Sequence, residues 1–166
     1  MVVAGGFVSA VDNSGGSDAS FAATYEAAYP RLVRVATAIV GDRGVAEELV
    51  QDAFAATWRH RDRVRDLEAY VRHATVNGCR SHLRLHRVRR ERSGVVPELS
   101  VTDQHYELAA SIARLGFRQR TVVVLRYYEG LSDDAIGASL GVRPATVRSL
   151  AARALHNLRE VLRDDD

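Results

Sequence analysis

The sequence predicts an all-α fold made of two small helical domains joined by a short linker. Three observations predict it. Apolar residues recur at three- and four-residue intervals through two long stretches, and the segment between them carries Gly94 and Pro97 with no sustained period. No segment shows the strict alternation of a half-buried strand. The run Thr121 to Leu125 is β-branched, but its flanks are helix-like and it continues into Tyr127 and Tyr128, so it reads as a buried helix.

The elements follow in order. Residues 1–19 are rich in Gly, Ser and Ala and read as a mobile tail. The first domain, 20–92, opens with Phe21, Tyr25, Ala28, Leu32, Val35, Ala36 and Ile39 at helical spacing, closed by Gly41. A second helix carries Val45, Leu49, Ala53, Ala56 and Trp58, the last assigned to the core. A polar loop from His60 to Asp66 leads to a third helix from Leu67 to about Arg90. Residues 93–104 are the linker. The second domain, 105–166, holds helices at Tyr106 to Leu115 and Arg118 to Glu129, followed by two short helices that complete a four-helix unit.

Those last two carry the clearest chemistry. Ser132 suits an N-cap, and Asp133 and Asp134 set negative charge against the positive end of the helix dipole; Ala135 stands where a capping box would place Glu. Ile136 and Leu140 share a face, Gly141 is a left-handed stop, and Pro144 opens the next helix. In that helix Val147, Leu150, Ala151, Ala154, Leu155, Leu158, Val161 and Leu162 form one apolar stripe. Thr146, Arg148, Ser149, Arg153 and His156 remain on the outer face. Arg can grip phosphates or fork onto guanine, and Ser and Thr can bond to either, so the pair of helices reads as a helix-turn-helix aimed at a major groove.

Net charge is only +2 over 166 residues, so overall basicity is not the argument. All 23 basic side chains are Arg and none is Lys, which partly reflects genomic base composition. The distribution matters more. Arg80, Arg84, Arg87, Arg89, Arg90 and Arg92 crowd one segment, whereas Asp42, Glu47, Glu48 and Asp52 make the preceding helix acidic, which points to two different partners. The single Cys79 excludes an intramolecular disulfide and fits a reducing compartment. The N-terminus has no basic flank, and Gly5, Gly6 and Asp12 break its apolar run, so neither a signal peptide nor membrane insertion is expected and a cytoplasmic location is.

With these residues in view, the chain resembles a known family. DRGVAEELVQDAFAATWRHRDRV and AYVRHATVNGCRSHLR are similar to region 2 of bacterial sigma factors, and RQRTVVVLRYYEGLSDDAIGASLGVRPATVRS is similar to their region 4. With one short linker between, the whole resembles the group-4, or extracytoplasmic-function, members of the sigma-70 family. The resemblance implies a transcription initiation factor rather than an enzyme, with core RNA polymerase and promoter DNA as partners, an anti-sigma protein as a further partner common in the family, and no cofactor. It implies that Glu48, Leu49, Gln51, Asp52 and Phe54 dock on the polymerase. It implies that the loop Arg61, Asp62, Arg63 captures a flipped base, and that the third helix recognises and opens the minus-10 element. There His73, Asn77, Arg80, Arg84 and Arg87 fall on one stripe. Arg143, Thr146, Arg148, Ser149 and Arg153 match the contacts to the minus-35 element, with His156 on the same outer face.

The chain departs from the family pattern in places. Thr146 to Ala151 loses one basic contact of the usual motif, Gly116 replaces a common helix-opening Pro, and Tyr70 stands where Trp is frequent. Two other readings remain open at this level. One is a free-standing regulator using only the C-terminal reader. The other is a metal-dependent enzyme built on Cys79, His82 and His86, whose spacing could place a thiolate and two imidazoles on one helix face; the favoured reading has no metal, with these His contacting nucleic acid or incidental to the surface.

Overall fold

The structure is a computed structural model that describes residues 14–93 and 104–164. Among them there is no strand, and no helix is long and apolar enough to cross a membrane. The first block holds α1 (Ser14–Val40), α2 (Arg43–Trp58), a single tight turn at Arg61–Arg63, and α3 (Leu67–Ser93). Gly41, at φ +83°, ends α1, and Asp42 caps α2 by accepting from Val45 N at 2.9 Å. Asp66 does the same for α3, accepting from Ala69 N at 2.9 Å. The three helices close on Leu32, Val35, Ala36 and Ile39 from α1, Ala46, Val50 and Phe54 from α2, and Val71, Val76 and Cys79 from α3.

The helix begins earlier than the sequence suggests. Residues 14–19, expected in the tail, form the first turns of α1, and Asp18 there accepts from Arg61 Nε at 2.7 Å. A long-range ion pair thus lies within a stretch whose local composition favours a tail. Residues 1–13 lie outside the described residues, as do residues 94–103 of the expected linker, whose end residues Ser93 and Gln104 belong to helices.

The second block holds α4 (Gln104–Arg114), α5 (Phe117–Val123), α6 (Asp133–Leu140) and α7 (Pro144–Asp164). The expected buried helix through Thr121 to Leu125 is present, and Thr121, Val122, Val123, Val124 and Leu125 are all buried. Its end is not a regular α-helix. Val124–Tyr128 form a wide π turn, closed by Glu129 N donating to Val124 O at 3.2 Å. Gly116 opens α5 without a side-chain cap.

Both expected helical domains are present, and their described residues pack on each other, which the sequence reading did not anticipate. α6 lies on α3, and α5 with its π turn lies on α1. Leu32 and Val71 of the first block share one buried cluster with Val122, Ile136 and Val147 of the second. Polar contacts span the seam. Arg120 Nη1 donates to Ile39 O at 2.5 Å, near the C-terminal end of α1, and Arg72 Nε donates to Ser139 Oγ at 3.2 Å. Glu129 sits 3.0 Å from Arg31 Nε with its side chain only 7% exposed. Hydrophobic spacing within each block is silent on these pairings, because they join residues far apart in sequence.

Candidate nucleic-acid interface

The corner between α6 and α7 is built by local rules. Ser132 Oγ accepts from Ala135 N at 3.3 Å, Gly141 adopts φ +66°, and Val142 N donates to Gly137 O at 2.9 Å. Sequence reasoning missed Gly137. A Cβ there would meet the Val142 carbonyl oxygen at 2.7 Å, so the chain can turn this sharply only over a glycine. The available signal was a glycine one turn before the stop glycine.

Val147, Leu150, Ala151, Ala154 and Leu158 are buried, and Leu155 is half-buried. The side chains of Val161 and Leu162, assigned to the same stripe, lie outside the described residues. With Val147, Leu150, Ala151, Ala154 and Leu158 inward, Arg143, Arg148, Ser149, Arg153 and His156 are all exposed, and Thr146 is half-buried at the corner. Arg148 is 62% exposed and 3.6 Å from Asp133, whose other oxygen accepts from Arg126; the chain Arg126–Asp133–Arg148 therefore aims one outward guanidinium. Ser149 Oγ donates back to Ala145 O at 3.1 Å, which leaves its oxygen able to accept. Arg118 joins Arg143 and Thr146 around a shallow depression at the corner, a cation the sequence reading did not single out.

On α3, His73, Asn77, Arg80, Arg84 and Arg87 are all exposed along one ridge, as their spacing predicts. His73 and Asn77 contact each other, and His73 contacts α6. Asn77 Nδ2 donates to His73 Nε2 at 2.8 Å, and His73 Nδ1 lies 3.2 Å from the carbonyl oxygens of Ala138 and of Ser139 in α6. Both contacts are met when the proton is on Nδ1.

The loop candidates separate. Arg61 is tied down: besides Asp18, its Nη1 donates to Trp58 O at 3.0 Å and its guanidinium lies 3.8 Å over the Trp58 ring. Asp62 and Arg63 are exposed. Trp58 is not core, contrary to expectation. It is 41% exposed and forms a platform under Arg61 with Phe21 edge-on at 4.8 Å, since the end of α2 has no helix packed over its outer face.

On α2, Glu48, Gln51 and Asp52 are exposed and Leu49 is half-buried against Gly78 of α3. Phe54 does not join this surface. At 3% exposure it sits inside an aromatic cluster, with ring centroids 4.8 Å from Tyr25 and 5.9 Å from Phe21. It packs beneath the acidic face and not on it. The aromatics beside the acidic residues are Tyr25, 39% exposed, and Tyr29, whose hydroxyl accepts from Gln51. Their one-turn spacing on α1 was the missed signal.

Cys79 is fully buried in the first core, and burial pushes its thiol up to about 12. A metal-binding thiolate needs the opposite shift. His82 and His86 stack on each other with centroids 5.9 Å apart, and among the described residues no three His, Cys, Asp or Glu come together as metal ligands.

A helical protein with a helix-turn-helix at one end, an arginine ridge in the middle and an acidic face on α2 is of the class that reads DNA alongside a protein partner. Comparison with known proteins narrows the class. Residues 24–89 match the sigma-70 region 2 model and residues 111–160 the sigma-70 region 4 model. The RNA polymerase sigma-E factor of Streptomyces avermitilis is 33% identical over 144 residues, covering 81% of this chain and 80% of that protein. That of Streptomyces coelicolor is 34% identical over 140 residues, covering 79% of each. In fold, the chain is similar to the sigma factor RpoE solved with the anti-sigma factor NepR from Bartonella quintana, at TM-score 0.72 and 23% identity, covering 89% of this chain and 99% of that one. CnrH, solved with the cytosolic domain of CnrY, gives 0.68 and 22%, covering 92% and 94%. The chain belongs to the sigma-70 family of RNA polymerase sigma factors, in its extracytoplasmic-function group.

Proposed function

We infer that this chain is an alternative sigma factor that binds core RNA polymerase and directs promoter recognition, DNA melting and transcription initiation. The observation that carries this reading is the pairing, in one chain, of an outward recognition helix with a separate exposed ridge, each within a matched sigma region. Residues 20–92 serve the polymerase and the minus-10 element, 93–104 link, and 105–166 serve the minus-35 element, with 1–19 as an N-terminal extension whose last turns are helical.

Arg143, Thr146, Arg148, Ser149, Arg153 and His156 face the minus-35 element. Arg and Ser there combine phosphate grip with base-edge readout. His73, Asn77, Arg80, Arg84 and Arg87 track one strand at the minus-10 element, and Asp62 and Arg63 hold an unstacked base beside the Arg61–Trp58 stack. Capturing that base offsets the cost of strand separation without nucleotide hydrolysis. Glu48, Gln51 and Asp52, with Leu49 at their edge, dock on a basic polymerase surface. RNA synthesis stays with the polymerase, so the chain is not itself an enzyme. It works in the cytoplasm, and an anti-sigma protein is a further partner, the state in which RpoE was solved.

The test adds purified chain to core polymerase and promoter DNA. Chain-dependent, promoter-specific transcripts are expected. Tight operator binding by the chain alone, with no transcripts when polymerase is present, would instead establish a free-standing regulator.

A further inference from the structure

The turn Arg61–Arg63 is tied to a part of α1 that lies before the matched region. Residues 24–89 match the region 2 model, and Asp18 and Phe21 precede them on the first turns of α1. Asp18 Oδ1 accepts from Arg61 Nε at 2.7 Å, and Arg61 Nη1 donates to Trp58 O at 3.0 Å, with the guanidinium 3.8 Å over the Trp58 ring. One turn along α1, Phe21 meets the same ring edge-on at 4.8 Å. Arg61 is thereby drawn down to 19% side-chain exposure between an acid and an indole, while Asp62 and Arg63 beside it stay exposed. The turn itself is closed by Arg63 N donating to His60 O at 2.9 Å and has no side-chain cap.

We propose that Asp18 is a positioning residue for strand opening: by holding Arg61 on Trp58 it sets the Arg61–Arg63 turn in its receiving shape before DNA arrives. The proposal rests on the reading of this loop as the base-capturing one. A short turn with Asp62 and Arg63 exposed would otherwise be ordered at the moment of capture, which subtracts from the binding that offsets strand separation. The sign of the effect separates this role from plain electrostatics. An acid beside a DNA-binding loop repels phosphate, so through charge alone its removal would strengthen DNA binding. As a positioning residue, its removal weakens opening.

The test has two readouts on the full chain. Trp58 is the single tryptophan, so acrylamide quenching of the free chain's fluorescence reports the Arg61 stack directly. Open-complex formation is then followed with core polymerase on a promoter taken from chain-dependent start sites mapped in genomic DNA, supplied as a duplex and with its minus-10 segment already unpaired by mismatches. Asp18→Ala should raise the quenching and slow opening of the duplex by about threefold, the scale of a partly exposed ion pair, and leave transcription from the unpaired template unchanged. Asp18→Glu keeps the carboxylate and should return both readouts towards the parent. Glu26→Ala removes an exposed acid elsewhere on α1 and should alter neither. If circular dichroism shows that Asp18→Ala frays α1, Asp18→Asn, which keeps the shape and loses the charge, decides in its place.

Unchanged quenching would show that Asp18 does not hold the stack, and raised quenching with opening as fast as the parent's, or faster, would show the pair to be structural alone; either result overturns the proposal. An equal loss on duplex and unpaired templates would overturn it too, because the defect would then lie outside opening. If replacing Arg61, Asp62 and Arg63 together by Ala leaves opening intact, it is the capture reading of the loop that fails, and the role of Asp18 falls with it.

Discussion

Single residues set the sharpest features of the reader. Ser132, Gly141 and Pro144 were legible in the sequence because caps and stops are local: each depends on its own backbone and its neighbours within one turn. Gly137 was not, because its reason is a carbonyl that arrives only after the chain has turned. Gly137→Ala should therefore destabilise the second block by about 1–3 kcal/mol, read by thermal unfolding, since the Val142 carbonyl oxygen must move. A drop no larger than that of an exposed Gly→Ala change would show that the corner has slack. Thr75 Oγ1 is buried in α3 without a hydrogen-bond partner. Thr75→Val should leave stability unchanged or raise it by about 1 kcal/mol, and a loss would mean that the hydroxyl has found a partner. At the DNA face, Arg148→Ala or Arg153→Ala should weaken duplex binding by about 1–3 kcal/mol if the contact is bidentate to a base, and less and more uniformly across sequences if it is to phosphate.

Elements were legible where one face is apolar. The α3 ridge emerged from spacing alone, because burial of Val71, Val76 and Cys79 leaves its opposite side wet. Spacing could not say how an element ends. The π turn after α5 and the extra turns of α1 go with contacts reaching beyond one turn, Arg126 with Asp133 in the next helix and Asp18 with the distant Arg61. Nor could it tell core from face at Phe54 and Trp58, one turn apart near the end of α2, whose fates depend on which neighbours pack over each. The acidic side of α2 yields a test at this scale. Glu48→Arg with Asp52→Arg should abolish capture by immobilised core polymerase while leaving helix content intact, because both side chains are exposed and carry no core contact. Retained capture would refute the docking assignment.

At the scale of the molecule, the sequence indicated two blocks and their order but not their embrace. The residues that join them, Arg31, Arg72, Arg120 and Glu129, look like ordinary surface charges in a linear reading. The embrace leaves Arg80, Arg84, Arg143, Arg148 and Arg153 exposed, so it is compatible with the proposed promoter contacts. The seam also has a pH signature. Desolvation raises the Glu129 carboxyl above its usual 4.5, against the pull of Arg31, Arg34 and Arg72 and with a further push from Glu68. A raised carboxyl means that the folded state holds the proton more tightly than the unfolded one, so the stability it contributes is complete below about 4.5 and fades as pH rises through the raised value. Glu129→Gln should accordingly match or exceed the parent in stability at neutral pH, and the difference should close as pH falls through that window. A difference that widens on acidification would reverse the assigned sign.

The most direct measurement is transcription in vitro from fragmented genomic DNA by core polymerase with and without the chain, with RNA 5′ ends mapped. The account predicts start sites that depend on the chain and share two sequence blocks at fixed spacing, lost when Arg148 and Arg153 are replaced by Ala together. Identical start sites in the presence and absence of the chain would contradict it.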